Sequence, residues 1–354
     1  MADKLTAFGQ KPQVNISRST RGRMWLIFTC SALAVIQSSL SDSGASLIVA
    51  CCALCSALLA ELLITYKSYG FSKIKDGSAA ASAMVFSLLL PNQIHPAYAV
   101  LGALFAMVVV KHSFGGLGSN WLNPSLGGFL FLRFSWPGIF SAALADSPLR
   151  IIEESLHKGS ELSDAPMKLM AMRSSLDSAV SSFLNSTVFS ATGSELPAGY
   201  IDLLIFRQPG IIADRGLLAL LAGTILISAF KITRSWIPLA YLAFYGFLVF
   251  IFGSLPFEGV FFKGDILLAL FSGGTMAAAF ILVSDPATGA KSQAGILFAV
   301  LCAALLSWIF RYIHFEVYGA FFAVALINSF TPMFRYFENL LFYSHKAKTG
   351  RASV

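Results

Sequence analysis

Charge is scarce in this chain: 12% of its 354 residues are Asp, Glu, Lys or Arg, while 56% are hydrophobic. That is about half the charge of an ordinary soluble domain, and it excludes a soluble globular fold. Cysteine is also sparse. Cys30, Cys51, Cys52, Cys55 and Cys302 all fall inside apolar runs. Cys52-Ala-Leu-Cys55 has the bare spacing of a redox or metal motif, but neither His nor further Cys lies near to complete a site, so these residues read as small helix-packing groups and no metal site is expected. Nucleotide-hydrolysis loops, Ser-His-Asp arrays and zincin helices are missing, which leaves hydrolytic catalysis without support. A cleavable signal peptide is not evident either, because the segment before Met24 is polar.

What is present is apolar length. With 32 Phe and a mean hydropathy of +0.72, the chain reads as a polytopic, all-α membrane protein whose first partner is the lipid bilayer. Its net charge of +7 raises nucleic acid as a partner. The basic residues, however, sit in short clusters between apolar runs, the pattern of cytoplasmic loops, so no nucleic acid is expected.

Candidate spans lie at about 24–40, 46–66, 77–90, 97–111, 122–136, 216–230, 236–253, 265–283, 293–311 and 316–331. Two of them, 77–90 and 122–136, fall short of the roughly 20 residues a crossing helix needs and predict half-length or tilted helices. Lys and Arg cluster before Met24, in Lys67–Lys75, at Lys111, Lys231, Arg234 and Lys291, and in the tail from Arg335, whereas the four short opposite connections hold only Lys263 and Arg311. That asymmetry predicts both termini inside and an even helix number. The polar stretch 137–215 breaks the rhythm with residues such as Glu153, His157, Asp177 and Arg207, and contains an amphipathic piece over Met167–Asn185. It divides the chain into a basic tail (1–23), a five-span half (24–136), an outer segment (137–215), a second five-span half (216–332) and a basic tail (333–354). Odd spans per half give the halves opposite polarity, an inverted repeat with the site expected between them.

Three stretches carry the candidate chemistry. In Lys111–Pro124, Gly115, Gly116 and Gly118 allow backbone N–H groups to converge near the helix opening at Pro124, an anion-receptive arrangement; close packing of a re-entrant turn is the structural alternative. In Gly264–Lys291, a small-residue-rich run with a Gly-Gly pair ends at Ser284-Asp285-Pro286. Asp285 reads either as the N-cap of a helix with Pro286 at its first position or as an ionisable group at a helix break, a functional candidate. Glu61 is expected to snorkel toward Lys67, and His112 to be interfacial.

The stretch Lys111–Gly128, KHSFGGLGSNWLNPSLGG, with Leu196–Gly223 and Gly273–Lys291, GGTMAAAFILVSDPATGAK, resembles the RnfD/NqrB family, whose members are membrane subunits of the Rnf ion-translocating electron-transport complex and of the sodium-translocating NADH:quinone oxidoreductase. The resemblance implies a fold similar to that of urea transporters and a flavin-bearing subunit in the bacterial cytoplasmic (inner) membrane. It implies as partners the other membrane and peripheral subunits of a redox-driven, ion-translocating complex. Members typically carry FMN esterified to a threonine of the outer loop and hold a second, non-covalent flavin such as riboflavin. The family's Ser-Gly-Ala-Thr-Pro-Leu element is absent from Pro137–Arg215; the one Ser-Ala-Thr is Ser190-Ala191-Thr192, so covalent attachment is either at Thr192, displaced, or lost. Non-covalent contacts are expected from Gly115, Gly116, Gly118 and Asn120, and across the repeat interface from Asn123, Thr275, Asp285 and Thr288. A small-solute channel or transporter on the same scaffold is the alternative function.

Overall fold

The computed structural model describes residues 20–70, 73–116, 118–143, 175–187, 200–205, 210–230, 234–257 and 260–351. Thr192, Met167 and most of the predicted outer segment lie outside the described residues. Among those described, the chain is helical apart from one isolated antiparallel bridge between Pro91 and Ile211.

Two long apolar helices, α1 (Thr20–Ser41) and α2 (Ala45–Tyr69), form a hairpin. The turn is closed by Asp42, which accepts the Ser46 backbone N–H (3.1 Å) and the Ser46 hydroxyl, and by a 2.8 Å bond between the Ser38 and Ser46 hydroxyls. Next come α3 (Ser78–Leu88), α4 (Pro96–Phe105, continuing as a π-helix over Ala106–His112), α5 (Pro124–Ser135) and α6 (Pro137–Ala143). The segment 137–215 contributes α7 (Ser175–Thr187) and α8 (Tyr200–Ile205), joined where Asp177 accepts the Ile201 N–H at 3.0 Å. The rest comprises α9 (Ile212–Arg215), α10 (Leu217–Ala229), α11 (Trp236–Phe252), α12 (Ile266–Phe271), α13 (Thr275–Ala277, continuing as a π-helix over Ala278–Val283), α14 (Gln293–Trp308, continuing as a π-helix over Ile309–Ile313) and α15 (Gly319–Arg351).

Among the described residues, three helices are long and apolar enough to cross a bilayer, Thr20–Ser41, Ala45–Ser68 and Gln293–Ile313, and several shorter apolar helices accompany them. The chain is a multi-pass membrane protein. As expected, α3 and α5 are half-length: with 11 and 12 residues they reach about 17 Å at 1.5 Å per residue, against a hydrocarbon thickness of about 30 Å. All but one residue of α3 is buried, so protein rather than lipid surrounds it. Where α3 ends, the Leu90 carbonyl accepts the Ile212 N–H at 2.9 Å. Backbone leaving a helix at membrane depth is thereby satisfied inside the protein.

Two expectations are corrected. The predicted span 265–283 is two helices, because the chain turns through Gly273 (φ +66°) and Gly274 (φ +70°), left-handed conformations that disfavour any Cβ. A Cβ on Gly274 would also sit 2.3 Å from the Phe321 ring. The predicted span 316–331 instead runs as one helix through Pro332 to Arg351. The centre is aromatic: Phe129 of α5 packs edge-to-face on Phe140, Tyr318 and Phe321, with centroids 5.1–5.7 Å apart.

Candidate functional site

The first half-length helices and the last long one meet around the loop 113–123. Asn123 caps α5: its side-chain oxygen accepts the Ser125 N–H at 3.0 Å, with Pro124 in the first helical position. Its amide nitrogen is then free to donate to Asp285 Oδ2, at 2.9 Å. Thr288 donates to the same oxygen at 3.4 Å, and Asp285 Oδ1 accepts the Ala287 N–H at 3.0 Å. Asp285 thus closes a turn rather than capping a helix; the next helix opens eight residues later and is capped by Ser292, whose hydroxyl accepts the Gly295 N–H. Three of the predicted residues, Asn123, Asp285 and Thr288, are brought together across 162 residues of sequence.

Thr275 is not among them. It lies at the opposite end of the Thr275–Val283 segment, donating to the Ala269 and Ser272 carbonyls at 3.0 Å and accepting from Arg311. The glycines of the loop have φ of +98° (Gly115), +87° (Gly116) and +91° (Gly118). Rather than converging on an open anion site, the Gly115 and Gly116 N–H groups donate back to the His112 and Lys111 carbonyls. Asn120 is buried, and with its amide nitrogen facing inward it donates to the Lys111 and Gly116 carbonyls at 3.0 and 3.1 Å. The loop is therefore held rigid from within, and Asn120 is turned into it.

Beside this loop lies a cavity of about 400 Å³ lined by Ser119, Asn120, Trp121, Thr331, Pro332, Arg335 and Tyr336. Arg335 joins its wall to the Asp285 turn by donating to the Ala287 and Gly289 carbonyls at 2.8 and 2.9 Å, and its Nε is buried without a partner. Glu338, one turn further along α15, accepts the Ser292 hydroxyl (2.6 Å) and the Ser292 and Lys291 N–H groups. Burial works to raise the Glu338 carboxyl, but these hydrogen bonds and the Arg335 charge outweigh it and hold the group below the usual glutamate range.

Two polar clusters escape a reading of the sequence. Glu61 does not snorkel to Lys67: it is fully buried within α2, and its Oε2 accepts from Lys111 Nζ at 2.9 Å and bonds His112 Nε2 at 2.7 Å. Lys111 also donates to the Ser78 hydroxyl at 2.8 Å. At the other end of the molecule Arg311 donates to the Ala269 and Ser272 carbonyls and to the Thr275 and Ser272 hydroxyls, at 2.5–2.9 Å. Lys111 and Arg311 are 1% and 5% exposed, so neither is a loop charge. An ionisable residue inside an apolar run is the signal that points to Glu61.

The profile of the NQR2, RnfD, RnfE family matches residues 7–341. Proteins that share the name of one subunit of the ion-translocating oxidoreductase complex are similar along the chain. That of Shewanella denitrificans is 28% identical, covering 98% of this chain and 99% of its own length. That of Escherichia coli is 27% identical over 95% and 97%, and that of Alcanivorax borkumensis 30% identical over 77% of each. Glycine loop, part-buried Asn123–Asp285 contact and helical membrane architecture accompany a match over nearly the whole chain: the protein belongs to the NQR2, RnfD, RnfE family.

Proposed function

We infer that the protein is a flavin-carrying membrane subunit of an ion-translocating electron-transport complex, passing electrons between partner subunits in the bacterial cytoplasmic membrane with both termini inside. The observation that carries this reading is the Asn123–Asp285 hydrogen bond beside the cavity of Ser119–Trp121 and Thr331–Tyr336, in a chain whose relatives bear the name of an ion-translocating oxidoreductase component.

The residues present fit a non-covalent flavin. The volume is within the range of small-molecule sites, at roughly 300–1,000 Å³. Trp121 and Tyr336 offer aromatic faces to a flat ring, and the buried, unpartnered Nε of Arg335 lacks an acceptor that a ring carbonyl or a phosphate would supply. A flavin supplies one- and two-electron chemistry at such a place. What this chain's own residues do is hold the site's shape: Asn123 and Arg335 tie the Asp285 turn to the loop and to α15. A covalent FMN is at Thr192, displaced from it, or lost from this chain.

Two inverted five-helix repeats on a urea-transporter-like scaffold account for the arrangement. The support is a recurrence: Gly77 (φ +74°) precedes Ser78, which opens α3 and takes Lys111 from the π-helical end of α4. Gly274 (φ +70°) precedes Thr275, which opens α13 and takes Arg311 from the π-helical end of α14. A solute channel has less support, since Phe129, Tyr318 and Phe321 fill the space between the half-length elements.

The test is flavin released from protein purified in detergent, measured by fluorescence before and after acid denaturation. Extractable flavin that falls several-fold in Asn123→Ala and Arg335→Ala is expected, with protein-bound fluorescence lost in Thr192→Ala. Wild-type protein without flavin in either fraction, purified with its partner subunits, would sink the reading; fluorescence that survives Thr192→Ala would move the covalent site.

A further inference from the structure

Inside the candidate span Ala45–Ser68, Glu61 is a buried carboxylate with an uneven set of partners. Two nitrogen donors, Lys111 Nζ and His112 Nε2, crowd onto Oε2, while Oε1 is buried with no partner at all. A structural ion pair needs only Lys111 and Glu61, and a bare buried carboxylate oxygen is destabilising. His112 is the member that reaches solvent, at 13% exposure. A spare acceptor oxygen beside a partly exposed imidazole is the arrangement of a group built to take up charge.

The surrounding elements bring few competing charges. From α4 come Lys111 and His112 themselves. From the turn before α3 come Lys73 and Asp76, 3.5 Å apart, whose charges act on Lys111. α3 offers only the Ser78 hydroxyl. α1 carries Arg21 and Arg23 in its first turn and is pinned at this end by Trp25 Nε1 donating to the Lys75 carbonyl at 3.2 Å. On α2 itself Tyr66 and Lys67 follow.

We propose that Glu61, Lys111 and His112 form a proton-binding site that loads one proton from the water at this end of the molecule. The proton, left by hydronium as water, forms an N–H bond at Nδ1 of His112 in the tautomer that donates its Nε2–H to Glu61. The imidazolium then holds Oε2, and the Lys111 ammonium shifts toward the bare Oε1, so that the two cations divide between the two oxygens. Release reverses the steps. Because the Lys111 carbonyl accepts the Gly116 N–H and the Asn120 amide, a shift of Lys111 pulls on the loop that ends at Asn123. The loading itself holds whether or not a flavin sits beside that loop.

Infrared difference spectra of the full-length protein in lipid nanodiscs, between mildly alkaline and mildly acidic buffer, test this with side-chain 13C-glutamate and 15N-histidine labels. Wild type should show an imidazole band paired with a shift of one buried carboxylate band. His112→Gln should lose both, and Glu61→Gln should lose the carboxylate change while keeping the imidazole band. If Glu61→Gln fails to fold, the wild type against His112→Gln decides alone. Identical wild-type and His112→Gln spectra across that range, or an imidazole band with no buried carboxylate response, would show a permanently charged structural cluster and overturn the proposal.

Discussion

Lys111 and Arg311 do the same thing at opposite ends of the protein and are neutralised in different ways. Each is buried, each extends from a π-helical helix end, and each donates to the hydroxyl that opens a short buried helix. Lys111 is met directly by a carboxylate, Glu61, at 2.9 Å. Arg311 has no carboxylate at that range among the described residues; its planar fork is spread over two carbonyls and two hydroxyls, and Asp214 stands one step away, accepting the Gly274 N–H at 2.8 Å. A compact ammonium needs an opposite point charge, whereas a guanidinium can be satisfied by dipoles held in a fixed fan. The first cluster joins an ion pair to a histidine; the second is a strut of fixed dipoles at the Gly273–Gly274 break.

Breaking the ion pair should have the largest effect. Glu61→Leu leaves a buried ammonium uncompensated, and a loss of about 3–5 kcal/mol is expected, seen as a collapse of the thermal melt in detergent. The double change Glu61→Leu with Lys111→Met removes both charges and should recover most of that loss. A double variant as unstable as the single one would mean that Glu61 acts through something other than Lys111.

The Arg311 cluster should answer to shape rather than to charge. Arg311→Lys keeps the charge but cannot reach four acceptors in the fan, so the Ala269 or Ser272 carbonyl is left bare, at about 1–3 kcal/mol. By contrast, Lys111→Arg inserts a larger fork between Glu61 and Ser78. If Arg311→Lys melted like wild type, the strut assignment would fail.

Much of this organisation is legible in residue order. The apolar runs mark helices, the shortness of 77–90 and 122–136 marks half-length ones, and the helix breaks at Asn123 and Asp285–Thr288 single out residues that do meet. Thr275 does not join them, because Gly273-Gly274 is a turn as well as a close approach to Val317 and Phe321. A left-handed turn and a packing glycine look alike in sequence, and only the neighbouring Asp214, itself 60 residues away, distinguishes them. Lys111 and Arg311 resemble loop charges because they sit at the ends of apolar runs. Their burial depends on partners 50 and 36–42 residues distant, Glu61 in one case and Ala269, Ser272 and Thr275 in the other, and no local pattern encodes such a pairing.

A smaller change separates charge from hydrogen bonding at the strut. Asp214→Asn retains an oxygen for the Gly274 N–H and removes only the negative charge, so about 1 kcal/mol is expected. Asp214→Ala removes the acceptor as well and should cost more. Equal melts for the two variants would mean that the carboxylate's charge, not its hydrogen bond, holds the break.

The smallest effect concerns the clamp between α15 and the turn at 284–292, which borders the cavity. Glu338 accepts from Ser292 and Lys291 as a carboxylate, and its proton affinity is depressed in the folded protein. A depressed carboxyl contributes stability that is present above the unfolded value, near about 4.3, and is lost as pH falls through the lower folded value. The clamp should therefore be constant through neutral pH and loosen only in acid. Hydrogen exchange at the Lys291 and Ser292 amides should stay slow until that range, then rise, and in Glu338→Gln it should be faster at every pH and lack the acid step. An acid step at Ser292 that coincided with the His112 infrared change would join the two ends of the loop into one titrating unit.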